Sequence, residues 1–127
     1  MPEYELLCLA DLAGMTQEEL RDHVRSSYET NDDLENIVFL IAYESVGSWG
    51  CDSSSFFLMY KKDDGNLYEN RGSHCSCYGF EGQWEPEETS VDYLESANFD
   101  FWPGGYDYQS DANRTAVMRY INNINFR

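Results

Sequence analysis

The run Ile37-Val38-Phe39-Leu40-Ile41-Ala42-Tyr43 constrains the fold more than any other stretch of the chain. It is continuously apolar, rich in β-branched and aromatic residues, and far too short to cross a bilayer as a helix. A strand with one wet face would alternate polar and apolar residues. An unbroken run of this length instead calls for a central strand covered on both faces.

The neighbouring segments carry their own signals. Thr16-Gln17-Glu18-Glu19 matches a capping box, in which the Thr16 hydroxyl and the Glu19 carboxylate each satisfy an orphan amide at a helix start. The spacing predicts a helix over about 16–28, with Leu20, Val24 and Ser27 or Tyr28 inward and Glu18, Glu19 and Asp22 outward. Asp63-Asp64-Gly65, between aromatic-rich runs at 55–62 and 66–71, predicts a β-hairpin. The apolar residues Leu6 to Ala13 lean towards a strand, and Pro86 introduces a short helix over about 89–97. Ser110 or Asp111 can cap a helix over 112–124, where Val117, Ile121 and Ile124 share a face. Glycine- and serine-rich 47–54 and aromatic 98–109 read as loops. The expected fold is α+β: one domain over 1–127, with a small antiparallel sheet, a central hairpin and about three helices packed on it.

Charge narrows the function classes. The chain holds 24 Asp and Glu against 8 Lys and Arg, a net charge of −16, where a small domain is comfortable at a magnitude of roughly 2 to 8. Residues 1–60 hold 12 acids and 2 bases, residues 61–109 hold 11 and 3, and residues 110–127 hold 1 and 3. The acid is therefore built into the folded body and is not collected in a tail. Such a chain is a poor direct ligand for nucleic acid or anionic lipid. Its carboxylates can instead approximate the charge density of duplex DNA, about one charge per 1.7 Å of axis, and occupy a basic groove on another protein. Candidate positions are Glu18, Glu19, Asp22, Glu29, Asp32, Asp33 and Glu35, with Glu81, Glu85, Glu87, Glu88, Asp92 and Glu95 as a second group. Trp84 and Trp102, in expected loops, are candidate aromatic anchors. The competing explanation is an acidic face that only confers solubility.

Four cysteines in a chain that opens Met1-Pro2-Glu3-Tyr4-Glu5, with no signal-peptide pattern, suggest a cytoplasmic protein whose thiols are free or metal-bound. Cys75 and Cys77 could join His74 and Cys51 in a tetrahedral zinc site, with Cys8 or His23 as the other possible fourth ligand. The spacing is a single tight pair with no second pair, so buried free thiols remain the alternative and no cofactor is required. No phosphate loop, nucleophile elbow, zinc-protease helix or dinucleotide fingerprint is present, and adjacent His74 and Cys75 would point to opposite faces of a strand. No enzymatic activity is expected.

Residues Gly65-Asn66-Leu67-Tyr68-Glu69, then Ser73-His74-Cys75-Ser76-Cys77-Tyr78-Gly79 and Glu81-Gly82-Gln83-Trp84-Glu85-Pro86-Glu87-Glu88-Thr89, resemble a family of small, acidic, uncharacterised phage and bacterial proteins. The resemblance spans about residues 55–90, implies a phage or prophage origin, and carries no known activity or site residue. With the charge pattern it leads to the expectation of a phage-encoded inhibitor of a host defence or nucleic-acid-processing protein, for example an anti-CRISPR or anti-restriction protein. The partner would be a protein with a basic groove, with no direct contact to nucleic acid or membrane. The alternative is a small structural or regulatory interaction domain, zinc-stabilised through His74, Cys75 and Cys77.

Overall fold

The computed structural model describes residues 5–45, 53–74, 80–96 and 110–123. Five strands form one sheet in sequence order: β1 (Leu7–Ala10), β2 (Ile37–Ser45), β3 (Ser53–Lys61), β4 (Leu67–His74) and β5 (Glu87–Thr89). The helices are α1 (Gln17–Ser27), the single turn α2 (Val91–Leu94) and α3 (Ser110–Asn123), and a 3-10 turn at Leu34–Asn36 precedes β2. The fold is a small α+β domain around this sheet. Its last three ladders are antiparallel, whereas β1 and β2 run parallel. The sheet is thus mixed, because a helix rather than a hairpin returns the chain between its first two strands.

The long apolar run is strand β2, covered on both sides. One face packs Ile37, Phe39, Ala42, Phe57 and Met59 against Leu20, Val24 and Tyr28 of the α1 segment and against Phe80 and Trp84. The opposite face packs Leu40, Ile41, Tyr43, Phe56 and Leu58 against Leu94 of α2 and Val117 and Ile121 of α3. A register shift between Phe39 and Ile41 puts the adjacent Leu40 and Ile41 on the same side, as a bulge does. Ile124, expected on the same helical face, lies outside the described residues.

β1 reaches only as far as Ile41 of its neighbour, so the start of β2 meets no strand on that side. The Gln17 side chain replaces one: its Nε2 donates to Phe39 O at 2.7 Å and its Oε1 accepts from Phe39 N at 2.8 Å. Arg21, one turn further along α1, is buried. Its Nε donates to Leu34 O at 3.0 Å and its Nη2 to Ile37 O at 2.9 Å. Two polar side chains on one helix therefore satisfy backbone groups that a missing strand would have paired.

Candidate partner-binding surface

The acids of α1 are exposed but engaged. Glu19 closes the capping box, accepting from Thr16 N at 3.1 Å while its own N–H donates to Thr16 Oγ1 at 3.2 Å. Glu18 pairs with Arg21 at 2.7 Å and Asp22 with Arg25 at 3.3 Å. Because the Glu18 and Asp22 side chains are 70% and 77% exposed, these pairs are worth at most about 1 kcal/mol each. They do cancel two of the negative charges that α1 offers outward.

Past the helix the pattern changes. Tyr28 is buried, Glu29 takes a left-handed φ of 52°, and the chain turns through Asp32 and Asp33 into the 3-10 turn. Glu29, Asp32, Asp33 and Glu35 are all exposed, and none pairs with a cation among the described residues. The position of this loop is set by Arg21 on one side and Asn36 on the other. Asn36 accepts from Lys62 N through its backbone oxygen at 2.7 Å and from Asp63 N through Oδ1 at 3.0 Å.

That link brings the tip of the β3–β4 hairpin, with Asp63 and Asp64, beside the loop at 32–36. Sequence reasoning missed this, since 27 positions separate Asn36 from Asp63 and only the pairing of β2 with β3 joins them. Asp64 accepts from Tyr68 Oη at 2.7 Å and from Asn66 N at 2.8 Å. The Tyr68 bond, followed by the Asn66 amide, holds the Asp64 carboxyl below its usual range and keeps it ionised. The same bond pushes Tyr68 up to about 12. Asp32, Asp33, Glu35, Asp63 and Asp64 therefore gather at one end of the sheet, with Lys61 held over the Tyr68 ring at 4.2 Å.

In the second group, Glu81, Glu85, Glu87, Glu88, Asp92 and Glu95 are exposed, the Glu85 amide being fixed by Asn70 Oδ1 at 2.7 Å. Trp84, expected as an aromatic anchor in a loop, is buried. It is 7% exposed and sits in the core against Tyr28, Phe39 and Phe57, so it packs the fold and offers no anchor to a partner. The exposed large hydrophobic among the described residues is Tyr93 on α2, at 39%. Trp102, Cys51, Cys75 and Cys77 lie outside the described residues, and His74 is placed only as the last residue of β4, opposite Ser53.

Among the described residues no group of three metal-ligating side chains occurs. The other proposed ligands are engaged. Cys8 Sγ donates to Met15 O at 3.4 Å, and partial burial pushes its thiol pKa up. His23 Nε2 lies 2.9 and 3.1 Å from the two oxygens of Glu44, a carboxylate buried near the end of β2. The hydrogen bond to Glu44 raises the His23 pKa against the opposing effect of burial. Tyr28 Oη donates to the same carboxylate at 3.1 Å. Burial, then the Glu44 charge, pushes the Tyr28 phenol far up, while the neighbouring Ser55 hydroxyl pulls the other way without reaching hydrogen-bond geometry. This cluster ties α1 to the sheet. Glu44 follows directly on the apolar run, and a lone carboxylate in that position was the available signal.

No protein-family model, curated protein or solved structure matches this chain.

Proposed function

We propose that this protein is a binding protein that inhibits a nucleic-acid-processing partner by seating its acidic end in a basic groove. The observation that carries this is the gathering of Asp32, Asp33 and Glu35 with Asp63 and Asp64 at one end of the sheet, held there by Asn36. Rigidly spaced carboxylates lose little conformational freedom on binding and steer a cationic partner from a distance. The resemblance of about residues 55–90 to phage and bacterial proteins favours a host defence or nucleic-acid enzyme as the partner. The pairing of Glu18 and Asp22 within α1 favours the second reading, a solvated acidic face on an interaction domain.

The two are separated by affinity capture from a bacterial lysate, eluted first with duplex DNA and then with a salt gradient. A partner displaced by duplex DNA supports groove occupation. A partner that DNA leaves in place, or no retained nucleic-acid-binding protein, supports the solvated face.

A further inference from the structure

The tip of the β3–β4 hairpin holds the chain's single Asp-Gly step, Asp64-Gly65. Gly65 N donates to Lys61 O at 2.8 Å and Lys61 N to Asn66 O at 3.2 Å, which closes the turn. Gly65 takes a left-handed φ of 69°. A Cβ there would meet nothing within 4 Å, so the backbone angle rather than crowding favours glycine. The pair that suits this turn also has a reactive backbone. With no side chain on residue 65 its amide nitrogen is unshielded, and it follows directly on the carboxyl of an exposed Asp64.

In an unfolded chain such a pair rearranges. The Gly65 nitrogen attacks Cγ of the protonated Asp64 carboxyl and forms an N–C bond. The amide proton and the carboxyl hydroxyl leave together as water, and a five-membered succinimide remains. Water then opens the ring at one of its two carbonyls. Opening at Cγ breaks the new bond and restores aspartate. Opening at the main-chain carbonyl breaks the original peptide bond and leaves isoaspartate, whose main chain runs through Cβ and gains a methylene.

Three contacts oppose the first step in the folded protein. The Gly65 N–H is committed to Lys61 O. Asp64 Oδ1 accepts from Asn66 N at 2.8 Å and Oδ2 from Tyr68 Oη at 2.7 Å. Both carboxylate oxygens are thus held as acceptors, whereas the reactive form needs one of them to carry a proton. The Tyr68 and Asn66 bonds accordingly keep the carboxyl ionised. Tyr68 is itself placed by its pairing with Met59 and Glu88 on the flanking strands, and the Lys61 ammonium lies 4.2 Å over its ring.

We propose that Asp64 is a modification site, open to isomerisation in the unfolded chain and guarded in the folded one by the Tyr68 hydroxyl and the backbone bonds of the turn. The product would carry its extra methylene next to Asp63, whose N–H is the link to Asn36 Oδ1 at 3.0 Å. This chemistry is independent of whether the acidic end binds a partner.

The test incubates the native chain, Tyr68→Phe and the native chain unfolded in guanidinium chloride, all at about pH 6 and physiological temperature. Each is then digested, and the peptide holding residue 64 is resolved by chromatography and assigned by electron-transfer dissociation, which separates isoaspartate from aspartate at equal mass. Isoaspartate at residue 64 should form at least ~100-fold more slowly in the native protein than in the unfolded chain, as two hydrogen bonds to a charged group allow. Tyr68→Phe keeps the ring and should fold, which its urea midpoint checks. It should isomerise ~10-fold faster than the native protein, the factor carried by one such bond. Isomerisation of the native protein at the unfolded rate, no isoaspartate at residue 64 in the unfolded chain, or a folded Tyr68→Phe that matches the native rate would each overturn the proposal. The comparison of native and unfolded chains does not depend on how the variant folds.

Discussion

Replacing Arg21 by Met keeps the aliphatic stem against the core and removes only the guanidinium. Two buried carbonyls, Leu34 O and Ile37 O, then lose donors at 3.0 and 2.9 Å. An orphaned buried acceptor costs about 1–3 kcal/mol, so the pair would cost about 2–6. Relief of the guanidinium's own desolvation pulls this towards the lower end, and the exposed contact to Glu18 adds less than about 1 kcal/mol. We expect a loss of about 2–4 kcal/mol. Urea unfolding followed by tryptophan fluorescence should show a lower midpoint with an unchanged slope. Glu18→Gln is the control and should move stability by less than about 1 kcal/mol. A loss below about 0.5 kcal/mol in Arg21→Met would mean that water replaces the guanidinium freely, and that Arg21 does not hold the acidic loop.

Other perturbations read other parts of the fold. His23 has a raised pKa through Glu44, so its contribution is full below the unfolded histidine value of about 6.5 and is lost as pH rises through the folded value. Stability of the native chain should therefore fall across that interval, and the decline should be absent in His23→Gln when both are titrated by chemical unfolding. In Gly72→Ala the new Cβ would meet Ser55 Oγ at 2.7 Å and Phe80 Cδ1 at 3.0 Å. It should cost about 1–3 kcal/mol in urea unfolding, and a neutral result would show that the loop at 80–86 yields easily. Trp84→Ala should cost about 3–5 kcal/mol by removing a buried ring. A variant that kept its stability but lost partner binding would contradict the core placement of Trp84.

Most of the fold was legible in residues that act locally. The capping box at Thr16 and Glu19 forms as written, and the hairpin around Asp63-Asp64-Gly65 pairs Tyr60 with Leu67. The apolar run is a strand covered on both faces, as its continuous apolar character and its β-branched and aromatic content suggest. What escaped notice depends on contacts between distant segments. Glu87–Thr89 carries two glutamates and reads as a helix approach, yet it pairs with β4 as a short, charged edge strand. As a result α2 begins only at Val91. Trp84 stands among glycine, proline and glutamates, which suggests an exposed loop, while the rings around Tyr28 supply the pocket that buries it. Both Glu44, closing an apolar run, and Asn36, bridging two turns, act through partners that no local pattern specifies.

Recognition of the carboxylates at the end of the sheet by a positively charged protein is the step on which the proposed function turns. Its most direct measurement is the affinity of the captured partner for the native chain and for Asp32→Asn/Asp33→Asn/Glu35→Gln, each at two salt concentrations. Native binding should weaken steeply as salt rises, and the triple variant should fold normally but bind at least ~10-fold more weakly with a shallower salt dependence. Equal affinity of the two proteins at both salt concentrations would contradict such recognition.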